Sequence, residues 1–389
     1  MSFTLLPVTD ENFINRELLI KEMLDTLRDK SLKFGYALYG KRRVGKTSIF
    51  KELERILKKD KKIVPVYISV WDISTNSVNG FCDCLNEKTI DCFAPHLKLK
   101  HKAKDLALIP FNFARDILNN LKISISVKDL ISFTIAKQPA DKSPDRSLED
   151  VFSLMEKLSA ETNKKCILFI DEFPDIIKLK TNGSKIGEGI IKKTRTILED
   201  AKNVVLCVSG SIKTTMRQAV LSSNSAFYKQ FIVKLIEPLD KESIKRLFMQ
   251  NFTESKFDLE ALDAIYKVTR GYPFYAQFLG RILQKNNSSK IKVSDIENGM
   301  EEFLMQEGNI LFKEEFHNLT DNEKNILREM SKRVNSTTSE ISKKLALESS
   351  TTSKTLLYLQ EKGLIEKEKA GVYCIEDPIF NDWLLKNIS

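Results

Sequence analysis

Histidine is scarce in this 389-residue sequence: three copies, at positions 96, 101 and 317, are too few and too scattered for a zinc site or a Ser-His triad. The six cysteines, at 82, 84, 92, 166, 207 and 374, include no C-x-x-C pair. Cys166 and Cys207 lie in apolar runs, so the cysteines read as reduced core thiols and not as metal ligands. No apolar run approaches the roughly 20 residues of a membrane helix. The opening MSFTLLPVTDENF has no basic segment followed by an apolar core, so the expectation is a cytoplasmic protein without a membrane partner. With 14 Gly and 10 Pro there is little material for long low-complexity linkers.

Hydrophobic residues at 42% and charged residues at 30% are the balance of a globular protein, and the length suits two or three units of roughly 100 to 200 residues each. The net charge of +9 is concentrated. Residues 30–62 hold twelve Lys/Arg against three Asp/Glu, a local excess equal to that of the whole chain. Such a stretch can attract nucleic acid, nucleotide or anionic lipid; the plainer reading is a solvated Lys-rich helix around a phosphate-binding motif.

In RELLIKEMLDTLRD (16–29), Leu18, Leu19, Met23, Leu24 and Leu27 stand at helical spacing ahead of an apolar strand at 34–40. A helix at 46–58 and strands at 63–70, 166–173 and 203–211 follow. Short strands that are apolar throughout point to a parallel sheet covered on both faces. Between Trp71 and Leu148 the pattern loosens into mixed helices and polar turns, ending in KQPADKSPDRS. The expected division is an α/β core over 1–239 with 72–148 as an insertion or variable region, a helical lid over 240–318, and a winged helix-turn-helix over 319–389. In the last, helices at 320–332, 338–346 and 349–362 precede the hairpin GLIEKEKAGVYCIE.

The segment GKRRVGKT, residues 40–47, fits G-x-x-x-x-G-K-[ST] and sits between an apolar strand and a helix start. Gly40 and Gly45 let the backbone wrap closely, so that successive N–H groups of Lys41, Arg42, Arg43, Val44, Lys46, Thr47 and Ser48 and the helix dipole face the phosphates of ATP. Lys46 adds a charge against the β- and γ-oxygens, and the Thr47 hydroxyl completes a Mg2+ shell. KKCILFIDEF delivers Asp171 and Glu172 at the end of a buried strand, the edge where open α/β sheets bind ligands. Asp171 is the candidate to hold Mg2+ through water and Glu172 to polarise the attacking water; the plain alternative is a helix-capping acid pair. Ser209 and Ser211 end the next strand, where a hydroxyl can sense the γ-phosphate or serve only as a turn residue.

These stretches together resemble the archaeal-type ATPase family of the STAND branch of AAA+ related P-loop proteins. FINRE (13–17) resembles the family's motif beside the adenine, implying nucleotide contacts from Asn15 and Arg16. GKRRVGKT and FIDEF resemble its Walker motifs, and VSGS (208–211) its sensor-1 strand end. GYP (271–273) resembles the lid motif that touches the nucleotide, implying roles for Gly271 and Pro273; on residue grounds alone it is a helix-entry turn. DPIFNDWL resembles the segment after the winged helix, physically an apolar docking helix. One departure is plain: where relatives carry an arginine, AFYKQFIVKL has Lys229 and Gln230, with Lys229 or Arg217 as substitute charges that cannot reproduce a bidentate guanidinium contact. The resemblance implies a parallel P-loop NTPase sheet followed by a helical lid and a winged helix, with ATP and Mg2+ as cofactors and slow or partner-stimulated hydrolysis.

Two functions follow as expectations. In one, ATP binding and hydrolysis drive a conformational switch that the winged helix passes to a protein partner or to another copy of the chain. In the other, the chain is a DNA-associated ATPase in DNA maintenance, mobile-element or transcription-related work, contacting duplex DNA through the winged helix or the 30–62 stretch. SSTTSKTLLYLQEK presents Ser, Thr and Lys at the end of a would-be recognition helix. Residues 320–389, however, hold eleven Lys/Arg and eleven Asp/Glu, without the usual electrostatic footprint for nucleic acid.

Overall fold

The structure is a computed structural model, which describes residues 3–388 except 11–12, 30, 32, 34, 97–142, 182–183, 186–188, 212–215 and 287. Most of the variable region, including the first half of KQPADKSPDRS, therefore lies outside the described residues.

Helix α1 (Glu17–Arg28) leads to β1 (Gly35–Tyr39), α2 (Lys46–Leu57), β2 (Ile63–Ser69) and α3 (Val78–Phe93). After the undescribed segment come α4 (Pro144–Thr162), β3 (Lys165–Asp171), a small hairpin of β4 (Lys180–Thr181) and β5 (Ser184–Lys185), α5 (Gly189–Asp200), β6 (Val204–Gly210) and β7 (Phe231–Leu235). Five strands form one sheet in the order β2-β3-β6-β1-β7, and every pairing is parallel. The registers Ser69↔Asp171 and Tyr39↔Gly210 bring the strand ends to one edge. Every residue of β6 is buried, as expected for strands covered on both faces.

β3 stops at Asp171 because Glu172 turns to a left-handed φ of 52° and Phe173–Lys178 form a 3-10 turn with Pro174 near its start. The sequence pattern carried this strand two residues further and gave no strand at β7. The reason is that β7 is an edge strand with alternating exposure: Val233 and Leu235 face solvent. A short half-exposed strand has a weaker apolar signature than its buried neighbours.

The chain continues through α6 (Lys241–Met249), α7 (Ala261–Thr269), α8 (Pro273–Asn286), α9 (Val293–Phe303) and α10 (Asn309–His317). These are the helices of the region 240–318 that the sequence pattern marked as helical; α9 and α10 are joined by a π turn at Leu304–Gly308. Asp240 caps α6 by accepting from Ser243 N at 2.8 Å. Then come α11 (Asp321–Ser331), β8 (Ser336–Thr337), α12 (Thr338–Leu345), α13 (Ser349–Glu361), β9 (Ile365–Lys369), β10 (Val372–Ile375) and α14 (Pro378–Asn387). The antiparallel sheet β8-β10-β9 together with α11, α12 and α13 is a winged helix-turn-helix. Thr320 and Glu323 close a capping box at α11, with Lys362 Nζ 2.6 Å from Glu323.

One apolar cluster is continuous from Leu53 and Phe169 beneath the sheet through Tyr275 and Phe303 to Leu327 and Trp383. The C-terminal elements thus share a core with the α2 face of the sheet, and Trp383 of α14 is nearly fully buried against Phe312 and Phe380. Burying a side chain of that kind contributes about 1.5–3 kcal/mol. A second cluster joins α3, α4 and α5 to the other face.

Candidate nucleotide site

The loop between β1 and α2 is positioned by two glycines for different reasons. At Gly40 a Cβ would lie 2.2 Å from the Ile236 carbonyl oxygen, so only glycine lets the loop leave the sheet there. Gly45 has φ 94° at the N-cap of α2, a left-handed conformation costly for other residues. The first N–H groups of α2 then open toward the strand ends.

Lys46 is 6% exposed, and its Nζ donates to the Gly40 and Lys41 carbonyls, each at 2.9 Å. Burial pulls its pKa below the usual lysine value, opposed by the charges of Glu172 and Asp171. Thr47 Oγ1 donates to Asp171 Oδ2 at 2.6 Å. Asp171 is 3% exposed and also accepts from the Ser209 hydroxyl, on Oδ1, and from Tyr67 OH at 3.1 Å. Glu172 follows it in the left-handed conformation, its N–H 3.2 Å from Asp171 Oδ1. The structure therefore gathers Lys46, Thr47, Asp171, Glu172 and Ser209 at one edge. The Ser209 hydroxyl is engaged by Asp171, and Ser211 is buried just beyond the strand.

The N-terminal motif lies beside the loop. Arg16 Nη2 donates to the carbonyls of Val44 at 2.8 Å and Glu237 at 2.7 Å, and burial lowers its pKa to about 10. Asn15 donates to the Ser243 hydroxyl and accepts from Arg16 N. A cleft opens between this motif, Gly45 and the helical region, walled by Phe13, Ile14, Val44, Leu239 and Leu247, with Arg16, Ser48 and Gln277 as polar groups. An apolar cleft with a few polar groups suits a flat heterocycle. Pro273 lines it too, approaching Gly45 closely, while Gly271 (φ 76°) is required where its backbone bonds Leu239 N at 2.8 Å. Gly271 thus shapes the turn and Pro273 meets the loop.

The three basic residues inside the loop turn elsewhere. Lys41 Nζ lies 3.2 Å from Glu366 of β9, Arg42 Nη1 3.2 Å from Glu315 of α10, and Arg43 Nη1 2.8 Å from Asp377 at the cap of α14. Arg43 also donates to Tyr275 OH and lies 5.2 Å from the ring centroids of Phe274 and Phe312. For Lys41, Arg42 and Arg43 only the backbone N–H groups remain directed by the loop itself. The spacing of the motif carries no sign of these pairings, nor of Tyr67.

Lys229 and Gln230 precede β7, and Gln230 lines a groove with Gly35 and Val204 at the strand starts, the opposite end of the sheet from the loop. The Arg217 side chain lies outside the described residues. Much of the 30–62 stretch is paired: besides the loop residues, Arg55 meets Glu52 at 2.7 Å and Lys58 meets Glu54 at 2.8 Å. The cysteines are free, with Cys82, Cys166 and Cys207 buried and the Cys207 thiol pushed up to about 12 by burial. Among the described residues no helix is long and apolar enough to cross a membrane.

An uncharacterized ATP-binding protein of Methanocaldococcus jannaschii is 26% identical over 274 residues, 67% of this chain and 69% of the relative. A Walker-type ATPase of Pyrococcus abyssi superposes with a TM-score of 0.66 at 19% identity, covering 99% of this chain and 100% of that one. The ORC2 protein of Aeropyrum pernix, solved with ADPNP and ADP, gives 0.54 at 12% identity over 97% and 96% of the two chains. The family model describing an ATPase domain predominantly from Archaea matches residues 13–279. By that match, the chain belongs to this archaeal ATPase family.

Proposed function

We propose that the chain binds Mg-ATP at the loop between β1 and α2, hydrolyses it slowly, and passes the state of that loop to the helical lid and winged helix. For the chemistry, the supporting geometry is the 2.6 Å approach of Thr47 to Asp171 beside Lys46 and Glu172. Both are hard oxygen donors, which fits Mg2+, an ion that is commonly held by one hydroxyl or carboxylate, substrate phosphates and water. When bound, the ion neutralises charge on the transferring phosphoryl group. Lys46 exchanges its two carbonyl partners for phosphate oxygens, Ser209 keeps Asp171 oriented, and Glu172 takes a proton from the attacking water. Arg16 and Pro273 border the cleft for the base.

The observation that carries the switch is the outward pairing of Lys41, Arg42 and Arg43 with Glu366, Glu315 and Asp377. A loop that must settle around phosphates cannot move without shifting these partners, so the C-terminal elements register its occupancy. In a Glu172→Gln protein, Mg-ATP binding should persist and turnover should stop; normal turnover by that variant would reject Glu172 as the base.

A second reading, a DNA-associated ATPase, rests on the exposed face of α13, where Ser350, Ser353 and Lys354 face solvent, and on Lys343 and Lys344 of α12, which are exposed as well. The ORC1 protein of Aeropyrum pernix, solved in complex with DNA, shares the fold with a TM-score of 0.50 at 11% identity. ATP turnover with and without duplex DNA at two salt concentrations separates the readings: salt-sensitive stimulation supports DNA, indifference supports the switch.

A further inference from the structure

β2 brings to Asp171 a side chain that the P-loop pattern gives no reason to expect. Tyr67 lies near the end of that strand on the α2 side of the sheet, among the residues packed against the cluster that includes Phe50 and Phe169. Its hydroxyl reaches Asp171 Oδ2 at 3.1 Å, the same oxygen that accepts from Thr47 Oγ1 at 2.6 Å. The other oxygen accepts from Ser209, with the Glu172 N–H 3.2 Å away. The carboxylate is thus gripped on both oxygens from two strands, the start of α2 and the turn after β3.

The two partners of Oδ2 differ in what they can do. A threonine hydroxyl can turn a lone pair to a cation while its O–H still donates to Asp171, so Thr47 would carry a second task beside that bond. A phenol has no such second task here. The phenol keeps its proton throughout the ordinary pH range, so the group stays a hydrogen-bond donor to Asp171. Its ring is held as well: Lys51 Nζ of α2 stands 3.2 Å from the ring centroid, with Glu54 3.2 Å beyond it.

We infer that Tyr67 is a positioning residue that holds the Asp171 carboxylate toward the Thr47 hydroxyl while Thr47, still donating to Asp171, turns its oxygen to Mg2+, and that it thereby sets the Mg2+ requirement of the site. The inference rests on the proposed metal-side roles of Thr47 and Asp171. Partners that orient a ligating carboxylate typically contribute about tenfold or more to metal affinity.

The experiment is a Mg2+ titration of the binding of a fluorescent ATP analogue to the full chain, repeated with Mn2+ followed by electron paramagnetic resonance. It compares the unsubstituted protein with Tyr67→Phe, Asp171→Asn and Thr47→Val. Tyr67→Phe keeps the ring and its packing. It should raise the Mg2+ midpoint roughly tenfold while leaving analogue binding in chelator and the thermal midpoint nearly unchanged. An unchanged Mg2+ midpoint in Tyr67→Phe, alongside a raised one in Asp171→Asn, overturns the role of Tyr67 and leaves the metal-side assignment standing. A lowered thermal midpoint without a Mg2+ shift reduces Tyr67 to a packing residue and also overturns it. Unchanged midpoints in all three variants overturn the metal-side assignment, and the role of Tyr67 with it.

Discussion

Two sets of polar contacts tie the same loop to different parts of the molecule, and they are built differently. Toward the strand ends, Lys46 and Thr47 are engaged within 2.9 Å by carbonyls and by Asp171, with Lys46 and Asp171 buried and Thr47 half-buried. Away from them, Lys41, Arg42 and Arg43 reach partly exposed carboxylates at 2.8 to 3.2 Å. Buried polar bonds are costly to leave unmade, whereas partly exposed ion pairs are each worth about 0–1 kcal/mol and weaken with salt. The inner set suits chemistry that needs fixed geometry. The outer set suits a clasp that makes and breaks as the loop responds.

Substitutions can break that contrast, and the inner set should respond most. Lys46→Ala should cut turnover by on the order of a hundredfold or more, the scale for losing one preorganised group that stabilises developing charge, and weaken nucleotide binding; isothermal titration with Mg-ATP measures the latter, and near-normal affinity would remove Lys46 from the phosphates. Asp171→Asn should leave the chain folded while cutting Mg-dependent turnover by about tenfold or more, checked by turnover across a Mg2+ series beside the circular dichroism spectrum.

Arg43→Ala comes next, because Arg43 is the outer residue closest to behaving like an inner one. It loses an ion pair with Asp377 and a place among Phe274, Tyr275 and Phe312. The expected cost is about 2 kcal/mol, or a fall of roughly 4–8 °C in the thermal midpoint for a unit of 150–250 residues; an unmoved midpoint would show that the aromatic cage holds the C-terminal elements without it. The smallest effect belongs to Lys41. Glu366→Lys should cost about 0–1 kcal/mol at low salt, fade at high salt, and be partly restored by adding Lys41→Glu. A loss that ignores salt and is not rescued would mean that Glu366 acts through packing.

The same contrast explains what could be read from the amino-acid order. Gly40, Gly45, Lys46 and Thr47 follow from a local strand–loop–helix design, so spacing alone finds them, and Asp171 and Glu172 follow from the end of an apolar strand. The outer pairs join positions separated by between 273 and 334 residues, and no periodicity marks which acid will meet Arg42 or Arg43. Tyr67 was invisible for the same reason: its partner lies 104 positions away, and a tyrosine in a buried strand reads as core. β7 was missed because Val233 and Leu235 face solvent along a sheet edge. The winged helix was legible because Thr320 with Glu323 and Thr337 with Glu340 write their helix starts into the sequence.

Hydrogen exchange of the Glu172→Gln protein, in Mg-ATP against no nucleotide, is the most direct test of coupling between the loop and the C-terminal elements. The expected result is changed protection in β9 and at the start of α14, the elements that carry Glu366 and Asp377, as well as in the loop, with both changes lost in Lys46→Ala. Protection that changes in the loop while β9 and α14 stay constant would contradict the coupling and leave the three outer pairs as static packing.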